Sequence, residues 1–170
     1  MNYKSNNMDL GLRDKIIIVP GGAKGIGQGI VDVLAQEGAI PFIVGRNEAD
    51  NLRAITQVEA RGGRAFQVTA ELTQPEACRK AVEEVVRRAG RIDGLVNNAG
   101  VNDGVSLEHG SYERFMESLH KNLVHYYLMA QHALPELIKS KGSIVNIGSK
   151  TAETGQGATS AYAASNGGRN

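Results

Sequence analysis

The sequence predicts an α/β fold in which a doubly wound parallel sheet carries helices on both faces. Two observations predict it. Short apolar runs alternate with longer segments of helical periodicity, and a glycine-rich turn, PGGAKGIG, separates the first apolar run from the first helical segment. Strands that alternate with helices need right-handed crossovers, which make the strands parallel. No internal repeat or linker interrupts the pattern, so we expect residues 1–170 to form a single domain.

The first half of the chain contains three predicted strands and three predicted helices. Apolar runs predict the strands, and Pro41 is tolerated because it stands near the start of the second one. These strands lie at residues 15–20, 39–45 and 64–70. Apolar residues at helical spacing predict helices at 26–36, 48–61 and 75–88. The apolar face predicted for the first helix consists of Ile26, Ile30, Val33 and Leu34.

The second half continues the alternation. DGLVNNAG, residues 93–100, predicts a fourth strand running into a turn, and GSIVNIGS, residues 142–149, predicts a fifth. The segment between them, 111–139, is helical throughout, either as two helices or as one helix broken near Lys121 and Asn122. A glycine-rich loop then leads to a helix that begins near Ser160.

The composition indicates an ordinary globular protein. Hydrophobic residues make up 41% of the chain, and 19 basic residues nearly balance 18 acidic ones. This balance gives no attraction to nucleic acid or an anionic membrane, and no apolar run approaches the length of a membrane span. A lone cysteine, Cys78, cannot form an internal disulfide, which favours a reducing, cytoplasmic location. The four histidines show no metal-ligand spacing.

The turn PGGAKGIG has the features of a phosphate-binding loop. Gly21, Gly25 and Gly27 permit positive φ angles and a close approach of the backbone to a diphosphate. The helix that follows from Ile26 offers unpaired N–H groups and a partial positive charge to such an anion. The turn therefore predicts dinucleotide binding. The alternative is a strand-to-helix turn that binds no ligand.

Charges near the second strand favour NADP(H) over NAD(H). A cofactor without a 2′-phosphate usually meets an acidic residue at the end of this strand. Here the strand ends in Gly45, which carries no carboxylate, and Arg46 follows; Lys24 adds a second cation in the glycine turn. Two cations and no acid suit a 2′-phosphate. The alternative is that Arg46 and Lys24 are solvated surface charges.

Five motifs in order, GGAKGIG, NNAG, KNL, IVNIGS and SAYAAS, resemble those of the short-chain dehydrogenase/reductase family from about residue 14 to the last residue. The resemblance implies a Rossmann-type sheet and hydride transfer between a nicotinamide cofactor and a carbonyl or secondary alcohol. The stretch 142–165 is further similar to bacterial sugar dehydrogenases of the L-fucose dehydrogenase type. We therefore expect a small-molecule substrate, contacted by loops 101–110 and 150–159.

The resemblance also implies roles for individual residues. Ser149 would hydrogen-bond the substrate oxygen, Tyr162 would be the general acid/base and a cofactor contact, and Asn122 would hold a water in a proton relay. Hydride transfer creates or consumes an alkoxide, so one hydroxyl must polarise the oxygen while another exchanges its proton. Taken singly, the three could be a turn former, a packing aromatic and a helix breaker. The NNAG turn, Asn98, Ala99 and Gly100, would pass beneath the cofactor.

Three positions depart from the family pattern. In the family, a lysine stands four residues after the tyrosine, and its charge lowers the tyrosine pKa from its ordinary value near 10. This chain has Asn166 at that position. The site around Tyr162, here called the Tyr162 corner, therefore lacks that cation. Lys150 is a conceivable substitute, although neighbouring strand-end side chains tend to point apart. Pro20 replaces a threonine at the root of the turn, and Glu71 replaces the aspartate that meets the adenine ring.

The chain stops at Asn170, whereas family members continue into further strands and a substrate-covering segment. We therefore expect a C-terminally incomplete sheet with an uncovered fifth strand, and homo-oligomers in full-length relatives. The leading hypothesis is an NAD(P)-dependent oxidoreductase impaired at Asn166. The alternatives are a non-catalytic dinucleotide-binding module and an inactive fragment.

Overall fold

Five parallel strands form the sheet of the computed structural model, which describes residues 9–169. The strands pair in the order β3-β2-β1-β4-β5. β2 and β3 therefore lie on one side of β1, and β4 and β5 lie on the other, as in a doubly wound sheet. The strands are β1 (Ile16–Pro20), β2 (Ile40–Gly45), β3 (Phe66–Thr69), β4 (Gly94–Asn97) and β5 (Ser143–Asn146).

Helices connect the strands at the predicted positions. The predicted helical segment 111–139 is divided by a π-helical turn at His120–Val124, which contains the residues at which a break is predicted. A short helix at Thr151–Thr154 occupies part of the segment predicted as loop. The helices are α1 (Gly25–Gln36), α2 (Glu48–Glu59), α3 (Pro75–Ala89), α4 (Tyr112–Leu119), α5 (His125–Ser140), α6 (Thr151–Thr154) and α7 (Ser160–Gly167).

Two apolar clusters, one on each face, hold the helices against the sheet. Alternate β1 side chains point to opposite faces, so Ile18 belongs to one cluster while Val19 belongs to the other. The first cluster joins the sheet to α3 and α5 through residues such as Val85 and Met129. The second joins it to α1 and α2 through Val31 and others. The predicted α/β fold with helices on both faces is confirmed.

The buried face of α1 differs from the predicted one. Ile26 and Val33 are 70% and 54% exposed, whereas Gly27, Val31 and Ala35 are buried. These three residues are spaced by four and share a helix face. Their small or β-branched side chains let α1 pack closely on the sheet. The prediction was wrong for Ile26 and Val33 and right for Ile30 and Leu34, which are partly buried against the second cluster.

The outer strand β5 is covered less than the rest of the sheet. It pairs with β4 on one side, and no strand in residues 9–169 pairs with its other side. Ile144 and Val145 are 41% and 50% exposed. Within the described part of the chain, no helix is long and apolar enough to cross a membrane, and no cluster of potential metal ligands occurs.

Candidate active site

A cleft of about 660 Å³ opens at the carboxyl edge of the sheet. It lies across β1 and its two neighbours, where the strand order reverses and where ligands bind in sheets of this type. The segments that follow all five strands contribute to its walls. Of the residues predicted as functional from the sequence, the lining includes Gly21, Lys24, Ile26, Gly27, Arg46, Glu71, Asn98, Ala99, Gly100 and Tyr162.

The turn after β1 is held together so tightly that two positions require glycine. Gly21 has φ +70°, and its N–H donates to the carbonyl of Val44 at 2.8 Å. A Cβ at Gly27 would lie 2.2 Å from the carbonyl oxygen of Gly21, which no side chain can occupy. Gly25 also has a positive φ, +55°, although a Cβ there would meet no described atom within 4 Å. The turn therefore brings bare backbone to the floor of the cleft.

The N-terminus of α1 faces the cleft with uncapped N–H groups. The first backbone N–H groups of a helix have no partner within the helix, and the N-cap residue Lys24 makes no side-chain capping hydrogen bond. Exposed Ile26 lines the cleft at this point. The free N–H groups and the positive end of the helix dipole suit an anion such as a diphosphate.

Asn98 fastens the glycine turn to the segment after β4. Its side-chain amide donates to the carbonyls of Pro20 and Gly21, both at 3.2 Å. The preceding Asn97 is buried, and its amide donates to Asn146 Oδ1 at 3.1 Å, which ties β4 to β5. Asn98 therefore holds the two loops in fixed relation, and the backbone of Ala99 forms the adjoining cleft wall.

Both predicted cofactor cations take part in ion pairs. Lys24 Nζ lies 2.5 Å from Asp50 Oδ2, and Arg46 Nη1 lies 3.6 Å from Glu71 Oε2. The hydrogen bond from Lys24 is the largest influence that holds the pKa of Asp50 below its ordinary value. Burial raises the pKa of Glu71, but hydrogen bonds from Thr73 and the charge of Arg46 outweigh it. Both cations of this side of the cleft are therefore paired, Arg46 with a carboxylate that also lines the cleft and Lys24 with one outside the lining.

The predicted catalytic hydroxyls differ in their relation to the cleft. Tyr162, in the first turn of α7, is half-buried and lines it. Ser149 is also half-buried but is not among the lining residues, although Gly148 beside it is. The Ser149 oxygen accepts hydrogen bonds from the hydroxyl of Thr151 at 2.9 Å and from its N–H at 3.3 Å. Thr151 therefore fixes the position of the Ser149 hydroxyl.

Asn122 is fully buried in the π-helical turn, and both the oxygen and the nitrogen of its side-chain amide form hydrogen bonds within the protein. Its oxygen accepts from the N–H of Val101 at 2.7 Å, and its nitrogen donates to the Ser118 carbonyl at 3.0 Å. Beside it, His125 Nε2 lies 3.1 Å from the carbonyl oxygen of Ala99. Burial lowers the pKa of His125 against the effect of its backbone partners, the carbonyls of His120 and Ala99.

Arg169 is a cleft residue that the sequence analysis did not identify. Asn166, at the family's lysine position, is buried, lies outside the lining, and donates to the carbonyl of Tyr162 at 2.8 Å. Arg169 lines the cleft instead. Helical spacing from Tyr162 could not have identified it, because Arg169 lies beyond the end of α7 at Gly167.

The model of the family described as short chain dehydrogenase matches residues 15–170, nearly the whole chain. The chain belongs to this short-chain dehydrogenase family. The sequence resemblance, drawn from the glycine turn, the NNAG turn and the Tyr162 motif, is thereby confirmed.

Family members of known name and structure extend beyond the matched region. An L-fucose dehydrogenase from Bos taurus is 37% identical over 154 residues, which cover 90% of this chain and 56% of that protein. The solved structure of Cj0485 dehydrogenase is 40% identical with a TM-score of 0.86, covering 94% of this chain and 61% of that one. An actinorhodin polyketide ketoreductase variant, solved with NADPH, is 27% identical with a TM-score of 0.86, covering 91% and 60%. The chain thus spans little more than half the length of these short-chain dehydrogenases.

Proposed function

We propose that this chain is the single nucleotide-binding domain of an NAD(P)-dependent oxidoreductase that moves a hydride between nicotinamide and a carbonyl or secondary alcohol. The observation that carries the proposal is the continuous cleft that joins the glycine turn at Gly21 and Gly27 to the hydroxyl-bearing side chain of Tyr162. One end offers bare N–H groups to an anion, and the other end offers a proton-exchanging group. The family to which the chain belongs supports this reading.

The glycine turn fits a cofactor diphosphate in both shape and charge. Gly21 and Gly27 leave the backbone bare where a Cβ would collide with the turn itself. The open N–H groups at the start of α1, around Ile26, would bind the diphosphate oxygens. The NNAG turn, which Asn98 locks to the glycine turn, would form the floor beneath the cofactor.

The bound nicotinamide would supply or accept the hydride. Tyr162 would give a proton to the substrate oxygen during reduction and take one during oxidation. Ser149, fixed by Thr151, would hydrogen-bond the same oxygen. The side-chain amide of Asn122 bonds to Val101 and Ser118, and its backbone carbonyl accepts from Arg169, so a water relay through Asn122 would compete with these bonds.

We assign NADP(H) as the preferred cofactor. Arg46 is exposed, lines the cleft and follows β2, where no carboxylate stands at Gly45. Glu71 also contacts Arg46, with Oε2 3.6 Å from Nη1, and this separation is long enough for a phosphate to compete for the guanidinium. Lys24 is held more closely by Asp50 and contributes less.

The substrate is proposed to be a small molecule, a sugar by similarity to L-fucose dehydrogenase. We place the protein in the cytoplasm, because Cys78 is a free, buried thiol that needs no oxidising compartment. We propose a homo-oligomer for full-length relatives, and neither nucleic acid nor membrane as a partner of this chain.

A second candidate function, dinucleotide binding without turnover, is favoured by Asn166. This residue brings no charge to the Tyr162 corner, and its amide nitrogen donates to the carbonyl of Tyr162. Both candidates bind the cofactor in the same way. They differ in hydride transfer, which NADPH absorbance with L-fucose, other sugars and simple ketones would reveal.

The binding proposal is tested by introducing a charge at Ile26. Ile26→Glu places an anion beside the diphosphate site without altering the core, because Ile26 is 70% exposed. We expect fluorescence titration with NADPH and with NADH to show a Kd about tenfold higher for Ile26→Glu than for the uncharged Ile26→Gln, or about 1.4 kcal/mol.

Val33 provides the control for this experiment, because it is exposed on the same helix but lies outside the cleft lining. Val33→Glu is expected to leave both dissociation constants unchanged. Saturable binding of neither dinucleotide by the parent chain would rule the proposal out. Equal effects of glutamate at positions 26 and 33 would place the nucleotide elsewhere.

A further inference from the structure

The guanidinium of Arg169 is fixed by hydrogen bonds from three directions. Nε donates to the carbonyl of Asn122 in the π-helical turn at 2.7 Å, and Nη1 donates to the carbonyl of Ile147 after β5 at 3.0 Å. Nη1 also donates to Asn166 Oδ1 in α7 at 2.8 Å. The group lies over the ring of Tyr126, with Cζ 4.2 Å from the ring centroid. Its position in the cleft wall is therefore well defined.

The charge of Arg169 has no acidic partner in the described part of the chain. The hydrogen-bond acceptors are two backbone carbonyls and one amide oxygen, all neutral. The other cations of the cleft each have a carboxylate: Lys24 pairs with Asp50, Arg46 with Glu71, and Lys121 with Glu117 at 2.5 Å. A half-buried, fixed and uncompensated cation is costly unless an anion forms beside it.

We propose that Arg169 is the cation of the Tyr162 corner: its guanidinium stabilises the negative charge that Tyr162 carries when it acts as a base. In this role Arg169 replaces the charge that Asn166 lacks. Asn166 becomes a positioning residue that orients Arg169 through its side-chain oxygen. The inference rests on the proposed role of Tyr162 in proton exchange.

The electrostatics around Arg169 agree with this arrangement. Burial lowers the pKa of Arg169, whereas the hydroxyls of Tyr126 and Tyr162 act in the opposite direction. Burial raises the pKa of Tyr126 to about 12, and its hydroxyl donates to the Ile147 carbonyl. The other charged or titratable groups that face the cleft are Lys24, Arg46, Glu71, Asp103, Lys121 and His125.

Titration of Tyr162 in the cofactor-free chain tests the proposal directly. With tyrosine labelled at ¹³Cζ, the Tyr162 resonance is identified by its loss in Tyr162→Phe. We expect its titration midpoint in Arg169→Gln to lie about one pH unit above that of the parent, because a cation in the wall of the same cleft favours the ionised form. Arg169→Lys is expected to recover most of this difference, since it keeps the charge.

Lys150→Gln is the matched control, because Lys150 is the other cation near Ser149 and lies outside the cleft lining. It should leave the Tyr162 midpoint unchanged. Equal midpoints in the parent and Arg169→Gln would overturn the proposal. A shift in Lys150→Gln as large as that in Arg169→Gln would also overturn it.

A second measurement does not require an Arg169 variant to fold. With arginine labelled at ¹³Cζ, the Arg169 resonance of the parent should show an inflection at the pH where Tyr162 titrates. Tyr162→Phe should abolish this inflection, and Tyr126→Phe should retain it. An inflection that survives Tyr162→Phe, or its absence in the parent, overturns the inference. Because neither titration uses a cofactor, failure of dinucleotide binding would overturn the proposed function alone.

Discussion

At the scale of single residues, each cation predicted to bind the cofactor forms an ion pair with a carboxylate that is distant from it in the sequence. Asp50 lies in α2 and Glu71 follows β3, and the fold brings them against Lys24 and Arg46. A phosphate must displace these carboxylates to reach the cations. The proposed preference for NADPH would therefore depend on how loosely each ion pair is held, and the Arg46–Glu71 pair is the looser one.

Replacement of Arg46 measures this selectivity. We expect Arg46→Ala to raise the Kd for NADPH about tenfold and to change the Kd for NADH by less than about twofold, because only NADPH carries a 2′-phosphate. Fluorescence titrations at one fixed ionic strength provide the comparison, since salt screens exposed charges.

Arg53 is a suitable control for Arg46. It carries the same charge, contacts Asp50 at 2.6 Å from within α2, and does not line the cleft. Arg53→Ala should leave the ratio of the two dissociation constants unchanged. If Arg46→Ala weakened NADPH and NADH equally, the assignment of a 2′-phosphate to this position would be wrong.

At the residue scale, the structure gives a steric reason for two glycines of the turn. A Cβ at Gly27 would meet the Gly21 carbonyl oxygen, and a Cβ at Gly21 would meet Ala99. Their role in cofactor binding stays a prediction. Ile26 was assigned both to the cofactor turn and to the buried face of α1, and its exposure shows that the second assignment was wrong. Arg169 escaped notice because its importance depends on contacts with Asn122 and Ile147, which only the folded chain brings together.

At the scale of secondary-structure elements, the π-helical turn determines how the helical segment meets the cleft. Its residue Asn122 bonds backward to Ser118 in α4 and across to Val101 after β4. Its carbonyl also accepts the Arg169 bond. The sequence located this break near Lys121 and Asn122, but the π-helical form follows from long-range bonds that periodicity does not encode. The short helix α6 was missed for lack of an apolar pattern.

Removal of the Asn122 side chain tests this element. Asn122→Ala would leave the Val101 N–H without its partner and remove the bond to the Ser118 carbonyl, so we expect the free energy of unfolding in urea to fall by about 1–3 kcal/mol. Asn102→Ala is the control, because exposed Asn102 contacts the same loop only through a 3.4 Å bond to Gly104. Equal losses for both variants would show that Asn122 does not anchor the turn.

At the scale of the whole molecule, the carboxyl and amino edges of the sheet differ in their role: the first forms the cleft and the second holds the strands together. The carboxyl edge carries the cleft, with its uncapped helix and an Arg169 charge that pairs with no carboxylate among residues 9–169. The amino edge is tied together by Asp93, whose backbone bonds Ile16 in β1 at 2.8 Å and Ser143 in β5 at 3.3 Å. Its carboxylate accepts from the Ile16 N–H at 2.9 Å and pairs with Lys15 and Arg91.

Asp93 makes the stability of the sheet dependent on pH. Burial raises its pKa, but the Ile16 N–H, Arg91 and Lys15 outweigh burial and hold the pKa below the ordinary value of 3.8. The unfolded chain therefore binds this proton more readily. The stabilisation is present above pH 3.8 and is lost as the pH falls through the lower folded value. Asp93→Asn is expected to lower the free energy of unfolding at neutral pH by about 1–2 kcal/mol.

Urea unfolding of both chains between about pH 7 and about pH 3 checks this expectation, because the difference between them should shrink as Asp93 becomes protonated. Asp14→Asn is the control: Asp14 also pairs with an arginine, Arg64, but both side chains are more than half exposed, so its variant should parallel the parent at every pH. The difference in unfolding free energy between Asp93→Asn and the parent could instead stay constant with pH. In that case the packing of the side chain at position 93, and not its carboxylate charge, would hold the strands together.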